Sequence, residues 1–157
     1  MTSDAVVRAF PVDAATAFAL VADPRNHARW IPLTRVDLDP DELLVGALIT
    51  AVSGPLARRG APGLADVMRI DRFDAPTDTR TGVAEFTKIG HVLRGSASIV
   101  VVPAGPSSSR VLWTEHVWLA GPLPRRLTIL AMRPFLGAMV RWALMRARAE
   151  AGATDRF

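Results

Sequence analysis

Apolar and polar residues alternate along most of this chain with the two-residue period of half-buried β-strands. The pattern predicts seven strands, over residues 5–10, 33–38, 47–53, 65–73, 83–88, 92–102 and 110–119. Short turns at 75–78, 89–91 and 104–108 join the last four, which predicts an antiparallel meander. The acidic turn Asp39-Pro40-Asp41-Glu42 and the loop 54–63, with its three glycines, two prolines and an Arg pair, separate the earlier strands. Two segments break the period. In 13–32, DAATAFALVADPRNHARWIP, Asp13 is placed to cap a short helix carrying Ala17, Phe18, Leu20 and Val21. Asp23-Pro24 stops that helix, because the residue before proline is pushed out of the helical region, and a second short turn delivers Trp30.

The other break runs from 123 to 149, where the period becomes helical. Pro124 suits an N-terminal position, and Pro134 must either begin the main helix or kink a longer one. The expected helix runs from about 134 to 150. At 100° per residue Met132, Phe135, Leu136, Met139, Trp142 and Ala143 fall on one broad face, with Arg126, Arg133, Arg141 and Arg148 gathered on the other. The stretch 127–145 has the length of a membrane span, but two Arg and an internal Pro argue for a helix lying on a sheet instead. The fold class is therefore α+β, an antiparallel sheet covered by one long C-terminal helix. A curled sheet covered in part by one helix leaves a hollow wherever side chains do not fill it.

Strand parity selects the residues that face this hollow. On 95–102 the set is Gly95, Ala97, Ile99 and Val101; on the last strand it is Val111, Trp113, Glu115 and Val117; on the two preceding strands it is Met68 with Ile70 and Ala84 with Phe86. The expected lining is thus Met68, Ile70, Phe86, Ile99, Trp113 and Glu115 from the sheet and Phe135, Met139 and Trp142 from the helix. If parity holds, Glu115 sits in an apolar interior with a raised pKa; if a bulge intervenes, it lies on the surface. Asp66 and Lys88 share the inward parity, and a hairpin centred near Asp78 sets position 66 opposite 88 as a cross-strand pair. That pair either orients a ligand's polar end or is an exposed edge-of-sheet ion pair. His91, at a hairpin tip, is expected close to both, where an imidazole can move protons. Candidate acid-base groups are therefore Glu115, His91, Lys88 and Asp66.

Composition narrows the chemistry. The 157 residues, half of them hydrophobic, suit one domain over 1–157. There is no cysteine, which excludes thiolate nucleophiles and zinc–thiolate sites. His27, in a polar turn, His91 and His116 are 64 and 25 residues apart and form no metal motif, so no metal is expected. No phosphate loop, nucleophile elbow or catalytic triad order is present, and no cofactor is expected. The N-terminus lacks a signal-peptide pattern, which predicts a cytoplasmic protein. Eighteen of nineteen basic residues are Arg, and residues 121–157 carry a balance of +5 against −1 for 1–120. That basic stripe suits either a solvated helix face or weak contact with an anionic membrane or partner; with no aromatic platform among the arginines, nucleic acid is not expected.

The order strand, two short helices ending in Trp30-Ile31-Pro32, six strands and a terminal helix, with Arg72-Phe73-Asp74-Ala75-Pro76 at a hairpin, resembles the START-like (SRPBCC) superfamily of polyketide cyclase/dehydrase, lipid-transport and Bet v 1-like proteins. Ala75 departs from the pattern, standing where that superfamily usually has the first proline of a pair. The resemblance implies a helix-grip fold, a seven-stranded antiparallel sheet around a long C-terminal helix. It also implies binding or transport of a small hydrophobic molecule such as a lipid, polyketide or aromatic, or polyketide cyclase/dehydratase activity through the acid-base residues named above. A third reading is a regulatory module that docks through Arg126, Arg133, Arg141 and Arg148.

Overall fold

The computed structural model describes residues 5–154. Its elements are β1 Val6–Phe10, α1 Ala14–Val21, α2 Pro24–Trp30, β2 Thr34–Asp39, β3 Leu48–Ser53, β4 Leu64–Asp74, β5 Gly82–Ile89, β6 Leu93–Gly105, β7 Ser108–Leu119 and α3 Arg125–Thr154. The strands form one antiparallel sheet in the order β1-β7-β6-β5-β4-β3-β2. All seven strands and both small helices expected from the sequence are present.

Local chemistry sets the small helices. Asp13 accepts from the Thr16 N–H at 2.9 Å and the Thr16 hydroxyl at 2.7 Å, capping α1. Asp23 caps α2 through the Arg25 N–H, and Pro24 occupies the first turn, where a missing N–H costs nothing. α2 is not the solvated turn expected around His27. Pro24, His27 and Trp30 lie on its buried side, and His27 Nε2–H donates to the Val21 carbonyl at 2.8 Å, tying α2 to the end of α1.

α3 begins nine residues before Pro134, which lies inside it. Its two halves differ sharply. Val140, Ala143, Leu144, Ala147 and Ala151 of the C-terminal half are buried with Phe10, Phe18, Val111 and Trp113, and their small side chains allow close approach to the sheet. Between Arg125 and Met139, only Thr128 is buried. Proline removes one helical hydrogen bond and crowds the preceding turn, so the N-terminal half does not follow the sheet as the C-terminal half does. Its start is held at the end of β7, where the Thr128 hydroxyl accepts from the Leu119 N–H and the Arg125 guanidinium lies 3.6 Å over the Trp118 ring.

Two residues of the face expected to turn inward are not core residues. Phe135 is 64% and Trp142 46% exposed. The helical phase is set by the Ala143, Leu144, Ala147 and Ala151 contacts, which leaves Trp142 at the edge of the face. Its indole N–H donates to the Trp30 carbonyl at 3.1 Å, while the Trp30 indole N–H donates to Glu150 at 2.9 Å, so α2 and α3 are latched together.

Two outcomes follow from this packing. Leu144→Ala should cost about 3 kcal/mol as a buried large-to-small change, whereas Phe135→Ala should cost under about 1 kcal/mol; urea denaturation of both variants checks the difference. Burial drives the His27 pKa down to about 4, against 6.5 in the unfolded chain. A depressed folded value means that this stability is complete above the unfolded pKa and is lost as pH falls from about 6.5 towards 4, by roughly 3 kcal/mol in all. His27→Gln, which keeps a donor for Val21, should flatten that decline; equal slopes of stability against pH for the two proteins would contradict the assignment.

Candidate functional site

A hollow of about 640 Å³ lies under the N-terminal half of α3, floored by β4 to β7 and walled by α2, β2 and β3. Trp113, Glu115, Met68, Phe86, Ile99, Phe135, Met139 and Trp142, all expected as lining residues, border it, as do Asp66 and Lys88. Ile70 does not: it is fully buried within the core and does not reach the hollow. His91 is exposed on the β5–β6 turn and is not brought to the charged cluster. His27, assigned to solvent from the sequence, lines the wall, with its ring 4.7 Å from that of Trp113. The signal for it was its position three residues before Trp30, on the same side of a helix.

Sheet register explains how three charged groups come together. Lys88 on β5 lies opposite Gly95 on β6, which lies opposite Val117; one row along, Phe86, Ala97 and Glu115 are neighbours. Lys88 and Glu115 are thus two strands apart, roughly 10 Å at usual spacing. With only Gly95 and Ala97 on the strand between, the two long side chains meet across it. Gly95 could not be otherwise: at φ +135° a Cβ there would fall 1.9 Å from the His116 carbonyl oxygen. On the other side Lys88 faces Met68, not Asp66, because the β4–β5 hairpin is centred one residue later than a pairing of 66 with 88 requires. Asp66, two residues along the same face, is still within reach, and Lys88 Nζ donates to its Oδ2 and lies 3.5 Å from Met68 Sδ.

The pair is not an exposed ion pair at the sheet edge, since Lys88 is only 5% exposed. Glu115 also faces inward. Its Oε1 accepts from the Trp113 indole N–H at 3.0 Å, and its Oε2 is 3.6 Å from Lys88 Nζ, longer than a hydrogen bond. Among the described residues, neither Glu115 Oε2 nor Asp66 Oδ1 has a hydrogen-bond partner. Burial pushes the Glu115 carboxyl above its ordinary range, against the opposing pull of Lys88 and the Trp113 N–H. For Lys88 burial favours the neutral amine, but the nearby Glu115 and Asp66 charges outweigh it and hold the ammonium above its usual pKa. With Nε2–H committed to a carbonyl and its pKa near 4, His27 is a neutral imidazole whose Nδ1 carries the lone pair. The floor of the hollow therefore combines one retained cation, its carboxylate and a second acid disposed to hold a proton.

A second hollow of about 650 Å³ flanks the other side of α3, beside β1, lined by Arg8, His116, Leu130, Arg133 and Arg141; Leu136, Trp113 and Glu115 border both. Among the described residues no three His, Asp or Glu side chains gather in a way that would hold a metal ion.

No protein-family model matches the sequence, and no curated protein matches it. Solved structures do. The di-domain aromatase/cyclase BexL from the BE-7585A biosynthetic pathway superposes with a TM-score of 0.70 at 16% identity, over 100% of this chain and 48% of that one, so this chain spans about half the length of BexL. The Zhui aromatase/cyclase from Streptomyces sp. R1128 gives 0.68 at 12% identity, over 99% of this chain and 96% of that one. A START superfamily protein from Mycobacterium smegmatis gives 0.65 at 14% identity, over 96% and 97%. At such identities the likeness is one of architecture, and that architecture is the START-like helix-grip fold.

Proposed function

We propose that this chain is a cytoplasmic carrier or sensor of a small hydrophobic molecule, a lipid, polyketide or aromatic, held as one ligand-binding domain over residues 1–157. The observation that carries the reading is a hollow of about 640 Å³ whose wall is mostly apolar, with one buried charged cluster and, besides it, the His27 ring and the Thr34 and Ser53 hydroxyls. Ligand pockets of roughly 300–1,000 Å³ with a few placed polar groups are what drug-sized molecules occupy. Trp113, Phe86, Ile99, Met68 and Met139 supply contact for the apolar body, with Phe135 and Trp142 at the rim. Lys88, Asp66 and Glu115 read the polar end. The low polar content of the rest of the wall favours holding a molecule over multistep chemistry.

A second reading, a polyketide cyclase or dehydratase, is favoured by one feature, the Glu115 carboxyl whose proton affinity burial raises, 3.6 Å from the Lys88 ammonium. Such an acid can give its proton to the oxygen of a bound ketone while Lys88 stabilises the negative charge that develops there. Two of the structurally similar proteins carry aromatase/cyclase in their names, in line with this chemistry.

Fluorescence titration with 2-naphthol, a flat apolar molecule with one hydroxyl, tests the proposal. Binding should be saturable and should be lost on Ala51→Trp, which places an indole in the hollow from half-buried β3. Glu115→Gln should weaken it about tenfold, the effect of losing roughly 1.4 kcal/mol at the polar end. Equal binding by the Ala51→Trp variant would place the ligand elsewhere. Should a polyketone thioester be turned over, Glu115→Gln abolishing turnover with affinity intact would favour the cyclase reading.

A further inference from the structure

The outer surface of α3 is unusual for a helix that lies on a sheet. Leu127, Leu130, Ala131, Pro134, Phe135 and Ala138 are all exposed, Leu127 at 59% and Leu130 at 65%. The helix contains an apolar window of span length that is only 22% buried. It cannot cross a bilayer in this fold, because Ala143, Leu144, Ala147 and Ala151 are built into the core. Charge is distributed to match. From residue 116 to 149 there is no Asp or Glu, while Arg125, Arg126, Arg133, Arg141, Arg146 and Arg148 lie within that stretch. Arg8, from β1, joins Arg133 and Arg141 around the second hollow, which Leu130 also lines, so two elements deliver guanidinium groups to the same side.

We propose that this face, centred on Leu127, Leu130, Arg126 and Arg141, docks on an anionic phospholipid surface. Interfacial helices bind when an apolar strip enters the acyl boundary and flanking Arg or Lys groups meet lipid phosphates. The mixture excludes the other occupants on physical grounds. A second copy would set Arg126, Arg133 and Arg141 against their own symmetry mates, and a nucleic acid would leave Leu127, Leu130 and Phe135 without a partner. The orientation is also productive for a ligand: Phe135 and Trp142 are both exposed and both border the 640 Å³ hollow, so a docked protein presents the hollow's rim towards the bilayer. Docking itself does not depend on what the hollow binds.

Cosedimentation of the full chain with phosphatidylcholine vesicles, with and without about 30 mol % phosphatidylglycerol, tests the docking. Binding should be at least about tenfold tighter to the anionic vesicles and should weaken as salt rises. Leu127→Ser with Leu130→Ser, both at exposed positions, should reduce it by about tenfold with an unchanged circular dichroism spectrum. Arg126→Glu with Arg141→Glu should do the same, and Val45→Ser, at an exposed apolar residue elsewhere, should have no effect. Equal binding to both vesicle types, no binding, or full binding by the leucine variant would overturn the proposal. So would a dimer that the leucine variant dissolves, or equally tight retention of a DNA duplex.

Discussion

The ammonium group of Lys88 is the constraint around which this interior is arranged. A buried unpaired cation costs several kcal/mol, and this one is the sole lysine of the chain, set in the concave face of a sheet otherwise lined by Ile, Val, Met, Phe and Trp. Its position demands carboxylates on the same face, and they come from both sides: Asp66 from β4 directly, and Glu115 from two strands away over the small residues Gly95 and Ala97. The Trp113 indole and the His27 ring then complete the wall around Glu115. Burial in this apolar wall makes Glu115 hold its proton more tightly than an ordinary side chain, and the nearby Asp66 charge adds to that, against the pull of Lys88 and the Trp113 N–H. Arrangement and chemistry are thus the same fact seen twice.

The second requirement is that this cluster face a space and not a packed core. The division of α3 meets it. Its alanine-rich C-terminal half closes the core against β1, β7 and α1, with Glu150 and Trp142 fastening it to α2. Before and around Pro134 the helix stands off the sheet, and hollows open on both of its flanks. Large side chains at every facing position would have filled the gap, but Gly137 and Ala138 are small, one on each hollow, and Phe135 reaches only the rim. Stability comes from one half of the helix and binding space from the other.

Much of this was legible in the sequence, for reasons that differ by element. Period-two alternation located all seven strands and placed Glu115 indoors, since parity survives as long as no bulge intervenes along that strand. Parity does not fix register: the β4–β5 hairpin is centred one residue beyond where a pairing of 66 with 88 puts it, so the true neighbour of Lys88 is Met68. The ion pair formed regardless, because a lysine side chain spans two residues of offset. Ile70 had the correct parity and still missed the hollow, as alternation reports which face a residue is on but not whether space lies above it. Phe135 and Trp142 show the limit of a broad helical face: both border the hollow as expected, yet both stay largely exposed, because the buried stripe of Val140, Ala143, Leu144, Ala147 and Ala151 lies to one side of them. His27 was misread because a run of polar residues after Asp23-Pro24 looks like a solvated turn, whereas the structure makes it a helix with a buried side. His91 was assigned by proximity in sequence to Lys88, yet its turn carries it out to solvent.

Since Lys88 is the only lysine, selective 15N labelling of lysine gives a spectrum with a single side-chain signal, and that signal reports on the centre of the hollow. If Lys88 is buried between its carboxylates, the ammonium resonance stays protonated above the ordinary lysine value of 10.5, exchanges slowly with water, and shifts when 2-naphthol is added. A lysine that titrates at its ordinary value, exchanges as fast as an exposed side chain and ignores the added naphthol would contradict the account.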